Sequence, residues 1–222
     1  MQNRKYDWAH AFELMMSFFA PLQGTMILVS SFIFFENPSV AAFCTVLFSA
    51  YLFPLLTSRL VNILCPPREG RYPIGRVGVE GWVVQLKIQM LLTTFPFFER
   101  VLHLLPGFYS LWLRAWGSHV GRGVMWTPHV NVLDRGLLHI EDGVLLGHLA
   151  ILSSHAVYLK NDEHMVYCKR IHIGAGSLIG AASIIGPGAN VGKGCRINVA
   201  SHIYPDQIVN DGVLYDQRRP AT

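Results

Sequence analysis

Charge is scarce in this chain of 222 residues, with Asp, Glu, Lys and Arg together making 14% of it against about 25% in ordinary soluble domains. Hydrophobic residues make 51%, so part of the chain is built to avoid water. Cysteine is also sparse: Cys44, Cys65, Cys168 and Cys195 stand far apart with no CxxC spacing. That excludes the usual zinc-ribbon and dithiol motifs and leaves reduced, structural thiols of a protein facing the cytoplasm. Long basic runs and arginine-rich motifs are missing as well. A formal net charge of +4 then suits an anionic membrane surface or a phosphate-bearing small molecule better than nucleic acid, which is not expected as a partner.

The shortage of charge is concentrated near the N-terminus. No Asp, Glu, Lys or Arg occurs from Leu14 to Phe35, and after Glu36 none occurs until Arg59. Each gap is roughly 22 residues, close to the ~20 that cross a ~30 Å hydrocarbon core as a helix. Between them ENPS (Glu36 to Ser39) is a turn signal. A transmembrane hairpin is expected over residues 1–65, with Pro21 and Pro54 as tolerated kinks. Two spans in tandem argue against a cleaved signal peptide, whose apolar run is only about 7–15 residues. Arg4 and Lys5 precede the first span, and Arg59, Arg68, Arg71 and Arg76 end or follow the second. By the positive-inside rule both termini and the remaining domain are cytoplasmic, in an inner or plasma membrane.

Residues 66–119 read as a linker, CPPREGRYPIGRVG, followed by interfacial amphipathic helices broken near Pro96. Tyr109, Trp112 and Trp116 suit the headgroup zone, or a helix packed over the end of the following domain.

From Val120 the period changes to six. Ile173, Ile179, Ile185, Val191, Ile197 and Ile203 recur without a break, and Gly174, Gly180, Gly186 and Gly192 follow four of them. Four residues beyond each aliphatic stands a small one: Ser177, Ser183, Ala189, Cys195, Ser201. The rule holds less cleanly at Val120, Trp126 and Val132, and after a shift at Ile140, Leu146 and Leu152. Helices cannot sustain period six, and sandwich strands alternate with period two. The fold class expected is mainly β: a parallel β-helix over residues 120–208, a prism whose faces are single hexapeptides, with a tail over 209–222. Glycine near the corners is expected to supply permissive backbone.

The run IHIGAGSLIGAASIIGPGANVG resembles the left-handed parallel β-helix acyltransferases with hexapeptide repeats, a family that includes galactoside, maltose, serine and xenobiotic acetyltransferases. The hydrophobic hairpin is foreign to the soluble members and is more similar to the repeat regions that end poly-lysine-type peptide synthetases. The resemblance implies a homotrimer with sites between adjacent prisms, no tightly bound cofactor, and a thioester co-substrate, acyl-CoA or the phosphopantetheine arm of an acyl carrier protein. It also implies a histidine base on an extruded loop. The segment from about Ser154 to Arg170 interrupts the rhythm as such a loop would, and ILSSHAV points to His155.

An imidazole suits deprotonation of a hydroxyl or amine attacking a thioester. Asp162 or Glu163 is the expected orienting carboxylate. His148 and His172 face outward and, with Glu163, form the substrate-side set; His164 is solvated within the loop. Gly180 and Ala181, with Gly174, are candidates for close backbone approach to the donor and for oxyanion donors. SHIYPDQI lacks the Thr-Lys or Thr-Arg pair with which family members meet coenzyme A phosphates, so Lys193 and Arg196, or Lys169 and Arg170, are the replacements. No metal is expected: His148 and His155 are seven apart, unlike the closer pair of zinc β-helices. The reading is a membrane-tethered acyltransferase. The alternative is a non-catalytic trimeric scaffold that recruits a partner enzyme.

Overall fold

The computed structural model describes residues 11–74 and 81–216. Arg4, Lys5 and Arg76, used above for orientation, lie outside the described residues. The chain divides into two units, Met1–Arg68 with Ile74–Phe98, and Glu69–Pro73 with Glu99–Thr222.

The first unit is helical. Helix α1 (Ala11–Glu36) and helix α2 (Val40–Leu64) are long and apolar enough to cross a membrane, and only 17% and 28% of their most apolar stretches are buried inside the protein. They are therefore not core helices. Ser39 caps α2 by accepting from the Ala42 amide at 3.2 Å. Pro54 has a local consequence. Phe48–Leu52 forms a π-turn in which the Phe53 amide bonds Phe48 O instead of Ser49 O, and Pro54 has no amide to offer Ala50 O. Gln23, fully buried on α1, supplies what both carbonyls lack: its Nε2 donates to Ser49 O at 3.4 Å and Ala50 O at 3.2 Å.

Helix α3 (Gly81–Thr94) buries Trp82, Val84, Gln85, Ile88, Leu91 and Leu92. It was expected as an interfacial helix, yet it is packed among the hairpin helices. Gln85 explains why: Ser58 Oγ donates to its Oε1 at 2.7 Å, and its Nε2 donates to Asn62 Oδ1 at 2.8 Å and Ser58 O at 3.2 Å. Polar residues that read as a solvated face on a helical wheel are instead bonded inside the protein. The expected break at Pro96 is present, between α3 and helix α4 (Phe97–Leu102).

The second unit is the expected β-helix, and it runs past the expected end at 208: Val209 and Tyr215, in the stretch read as a tail, pair with the preceding coil. Its two- and three-residue strands form three parallel sheets. The first face stacks Val120, Ile140, Ile173, Val191 and Val209; the second Trp126, Leu146, Ile179, Ile197 and Tyr215; the third Val132, Leu152, Ile185 and Ile203. Most of these side chains are fully buried. The small residues turn inward and bond the next coil: Ser177 Oγ donates to Gly192 O at 2.7 Å, and Ser183 Oγ to Asn198 O at 3.0 Å.

The glycines after the aliphatics have a different role from the one expected. A Cβ on Gly180 would lie 2.5 to 2.6 Å from the backbone of Asn198 and Val199, so Gly is required by the closeness of the next coil. The permissive conformation falls two residues later, as at Gly194 (φ 62°) and Ala182 (φ 55°). Gly180→Ala is expected to destabilise the β-helix by about 1–3 kcal/mol, because backbone must shift to admit the methyl group. The check is a lowered denaturant midpoint. Gly194→Ala meets no atom within 4 Å and carries only the smaller backbone penalty.

Helix α5 (Phe108–Trp116) covers the first coil: Arg114 Nε donates to Val120 O and Nη2 to Gly121 O, both at 2.7 Å. Tyr109, Trp112 and Trp116 are buried against this end, so the headgroup placement gives way to packing. Trp112 Nε1 donates to Glu99 Oε1 at 2.8 Å. Glu99 also receives both arms of Arg135, whose Nε lies 2.7 Å from Oε1. Arg135 is 1% exposed.

Candidate active site

One turn of the prism takes eighteen residues, as between Ile173 and Val191. Two corners depart from this, and both join the third face to the first. Val132 and Ile140 are eight apart instead of six, and Leu152 and Ile173 are twenty-one apart. The lower excess places Asp134 in the corner; the upper one extrudes a hairpin that begins at His155. Stacking the coils sets one irregularity beneath the other.

There His155 Nδ1 lies 2.7 Å from Asp134 Oδ2. A carboxylate can only accept, so Nδ1 carries the proton and the ring lone pair sits on Nε2. Asp134 is 5% exposed and the same Oδ2 accepts from the Ser154 amide at 3.0 Å. Ser154 Oγ donates to Leu137 O at 2.8 Å, and Ser153 Oγ to His155 O at 2.8 Å. These bonds tie the exit of the hairpin to the corner below it. The His155 side chain is 18% exposed, so the imidazole is held yet reaches the surface.

The loop is a regular hairpin, His155–Lys160 and Glu163–Cys168, extended by the strand Gly70–Pro73 from the segment read as a linker. Its register separates the expected pair. His155 is opposite Cys168 at the root, whereas Glu163 is opposite Lys160 at the tip, about 17 Å away at strand spacing. Asp162 lies in the tip turn with φ 61°. Neither carboxylate stands where Asp134 does. Cys168 is fully buried, and burial first, with the Asp134 charge second, pushes its thiol up to about 12. It is therefore no nucleophile beside the histidine.

The remaining candidates gather elsewhere. Exposed His148 is at the corner between the second and third faces, and its carbonyl accepts from the Ala182 amide at 2.8 Å. Gly180 and Ala181 occupy that same corner one coil on, where Gly147 approaches the Ala181 amide nitrogen. The Gly180 and Gly174 amides are committed to Ile197 O and Val191 O at 2.9 and 2.8 Å, so neither serves as an oxyanion donor. Arg196 projects from the second face between Leu178 and Leu214. Lys193 stands at the first–second corner, 4.0 Å from Glu141 Oε2.

Lys169 is bonded to Asp206 at 2.7 Å and Arg170 to Leu138 O at 3.0 Å. The Lys169 and Tyr167 bonds hold the Asp206 carboxyl below its ordinary range. His172 lies on the first face in a ladder of imidazoles, 5.1 Å from the His139 ring, which is 4.4 Å from that of His119. Burial, then the neighbouring His119 and His172, lowers the His139 imidazole below its ordinary value.

His155 is thus joined to Asp134, while His148, Gly180 and Ala181 share another edge of the prism. Asp134 was missed by sequence reading. Its signal is the two surplus residues between Val132 and Ile140, at the same corner as the loop.

No family model and no curated protein matches the chain. Solved structures similar in fold include a maltose O-acetyltransferase from Clostridium difficile 630, at 17% identity over 52% of this chain and 75% of that one, TM-score 0.41. A hexapeptide-repeat acetyltransferase from Vibrio cholerae O1 biovar eltor, complexed with acetyl coenzyme A, is 19% identical over 56% of this chain and 84% of that one, TM-score 0.38. A galactoside acetyltransferase in complex with coenzyme A is 17% identical over 56% and 77%, TM-score 0.35.

Proposed function

We propose that the chain is a membrane-tethered acyltransferase in which His155 is the general base. The observation that carries this reading is the 2.7 Å contact between His155 Nδ1 and buried Asp134 at the root of the extruded hairpin. Asp134 fixes the tautomer and favours the imidazolium that forms during reaction. Nε2 takes the proton of an attacking hydroxyl or amine as its oxygen or nitrogen bonds the thioester carbonyl carbon. The tetrahedral adduct then collapses, the carbon–sulfur bond breaks, and the leaving thiolate takes the proton from Nε2. Ester or amide and free thiol result, with no redox change. The donor is an acyl-CoA or an acyl carrier thioester.

The site residues also support a homotrimer. On one prism the edge with His155 is opposite the second face, which Arg196 occupies and which Lys193 and Gly180–Ala181 flank. Copies packed side by side bring the His155 edge of one against the donor edge of the next. The apolar pair α1 and α2 supports a membrane anchor, and Arg59, Arg68 and Arg71 after the second span support a cytoplasmic β-helix. Tethering raises the effective concentration of membrane-bound acceptors.

The test is thiol release by the full chain in proteoliposomes, from acetyl-CoA and from an acylated carrier protein, with hydroxyl- and amine-bearing acceptors. Acceptor-dependent release supports acyl transfer. A folded trimer that releases no thiol under any pairing supports the scaffold instead.

A further inference from the structure

We infer that the turn joining α4 to α5, at the first-coil end of the β-helix unit, is a lipid-contacting surface that sets Leu104, Leu105 and Phe108 into the boundary between headgroups and acyl chains. This rests on the membrane-tethered reading above. The turn itself is tight. Pro106 and Gly107 are its central residues, with Gly107 at φ 81° and ψ −13°, and the Phe108 amide bonds Leu105 O at 3.2 Å, as in a type II turn. Solvated turns usually carry Asn, Asp or Ser beside such a pair. Here the neighbours are leucines and a phenylalanine, and Leu104, Leu105, Phe108 and Leu111 are 48% to 77% exposed. Helix α5 sorts its own faces: Tyr109, Trp112, Leu113 and Trp116 are buried, while Phe108 and Leu111, three apart, share the outer side. His103 adds no charge there. Its ring stacks on that of Tyr109 at 4.1 Å, and burial lowers the imidazole below its ordinary value.

Charge identifies the occupant. From Arg100 to Leu133 the chain carries Arg100, Arg114 and Arg122 and no Asp or Glu. Glu99 and Asp134, which bound this stretch, are both buried. Asp142, the first exposed acid along the prism, belongs to the second coil. Arg100 and Arg114, both exposed, flank the apolar residues in the chain. An apolar surface with cations beside it suits anionic lipid, whose acyl chains take the side chains and whose phosphates meet the guanidinium groups. Two copies meeting head to head here would instead bring like charges together. Size limits the depth. One turn of backbone with its side chains reaches about 5–10 Å, the level at which interfacial helices lie, which keeps the arginines among headgroups and the prism outside the bilayer core.

The experiment uses the full chain in proteoliposomes containing phosphatidylglycerol, with Cys44 and Cys65 replaced by Ser and a fluorophore on Leu104→Cys, repeated with Phe108→Cys. Ile208→Cys, at a site 68% exposed on the last coil, is the control. Emission from the two turn positions is expected to be lost to nitroxides at the headgroup or shallow on the acyl chain, and kept against iodide present on both sides of the vesicle. The control is expected to show the reverse. Iodide quenching at both turn positions overturns the lipid contact. Protection there from iodide and nitroxide alike also overturns it, since the cover is then protein. Asn37→Cys and Arg68→Cys, treated with an impermeant maleimide, test the anchor separately. Labelling from opposite sides upholds the hairpin; labelling of both from one side overturns the tethered reading, and the quenching at the turn still decides the lipid contact.

Discussion

His155→Ala is expected to lower turnover by about 10²–10⁴-fold, the usual range for a positioned general base, with the thermal midpoint nearly unchanged. The ring is partly exposed, so its removal leaves a surface hollow and no large cavity. Asp134→Asn is the sharper companion. An amide keeps the size of the side chain but loses the charge that favours the imidazolium and offers an N–H where only an acceptor fits. Turnover should fall by about 10²-fold or more, as when a base loses its orienting carboxylate. The Michaelis constant for the thioester should stay within a small factor, since neither residue is placed on the donor. If instead both variants kept wild-type turnover in a chain shown to release thiol, the base assignment would be wrong. Loss of activity matched by a collapsed thermal midpoint would make Asp134 structural.

Glu99→Ala is expected to cost about 3–5 kcal/mol, the toll of leaving one partner of a buried pair alone. Arg135 is 1% exposed and delivers two nitrogens to Glu99, and Trp112 Nε1 donates to the same carboxylate. Truncating Glu99 strands all three donors at once. Arg135 directly follows Asp134, so the corner that presents Asp134 to His155 is braced by this pair, and activity is expected to fall along with stability. Glu99→Leu with Arg135→Met should recover much of the stability, because a well-packed apolar pair replaces a buried ionic one at little cost. Chemical denaturation followed by near-ultraviolet dichroism of the tryptophans reads both. A single variant as stable as wild type would remove the brace.

The prism and the apolar helices were legible because each rests on a period or a length that the chain repeats. Six-residue spacing from Ile173 to Ile203 admits few folds, and a gap of 22 residues without charge is hard to bury in so short a chain. Asp134 was not legible, since two extra residues between Val132 and Ile140 look like noise until the coils are stacked and the corner proves to be shared with His155. Tyr109, Trp112 and Trp116 left two readings open for another reason. Their side chains suit a lipid interface or a core equally, and only the neighbouring coil decides. Gln85 is similar, for its polarity marks a solvated face unless Ser58 and Asn62 happen to lie opposite.

The hairpin leaves the prism between Leu152 and Ile173, yet both neighbours keep their stacking partners, Ile185 above the one and Ile140 below the other. Insertion at a corner therefore breaks no rung of the ladder. Its six-residue strands run about 20 Å; Val166, Tyr167 and Cys168 are buried at the root, whereas the tip around Asn161 and Asp162 is exposed and could be lengthened or shortened without repacking the prism. The protein separates two design variables that most folds entangle: the stiffness of the frame and the span over which the frame can act.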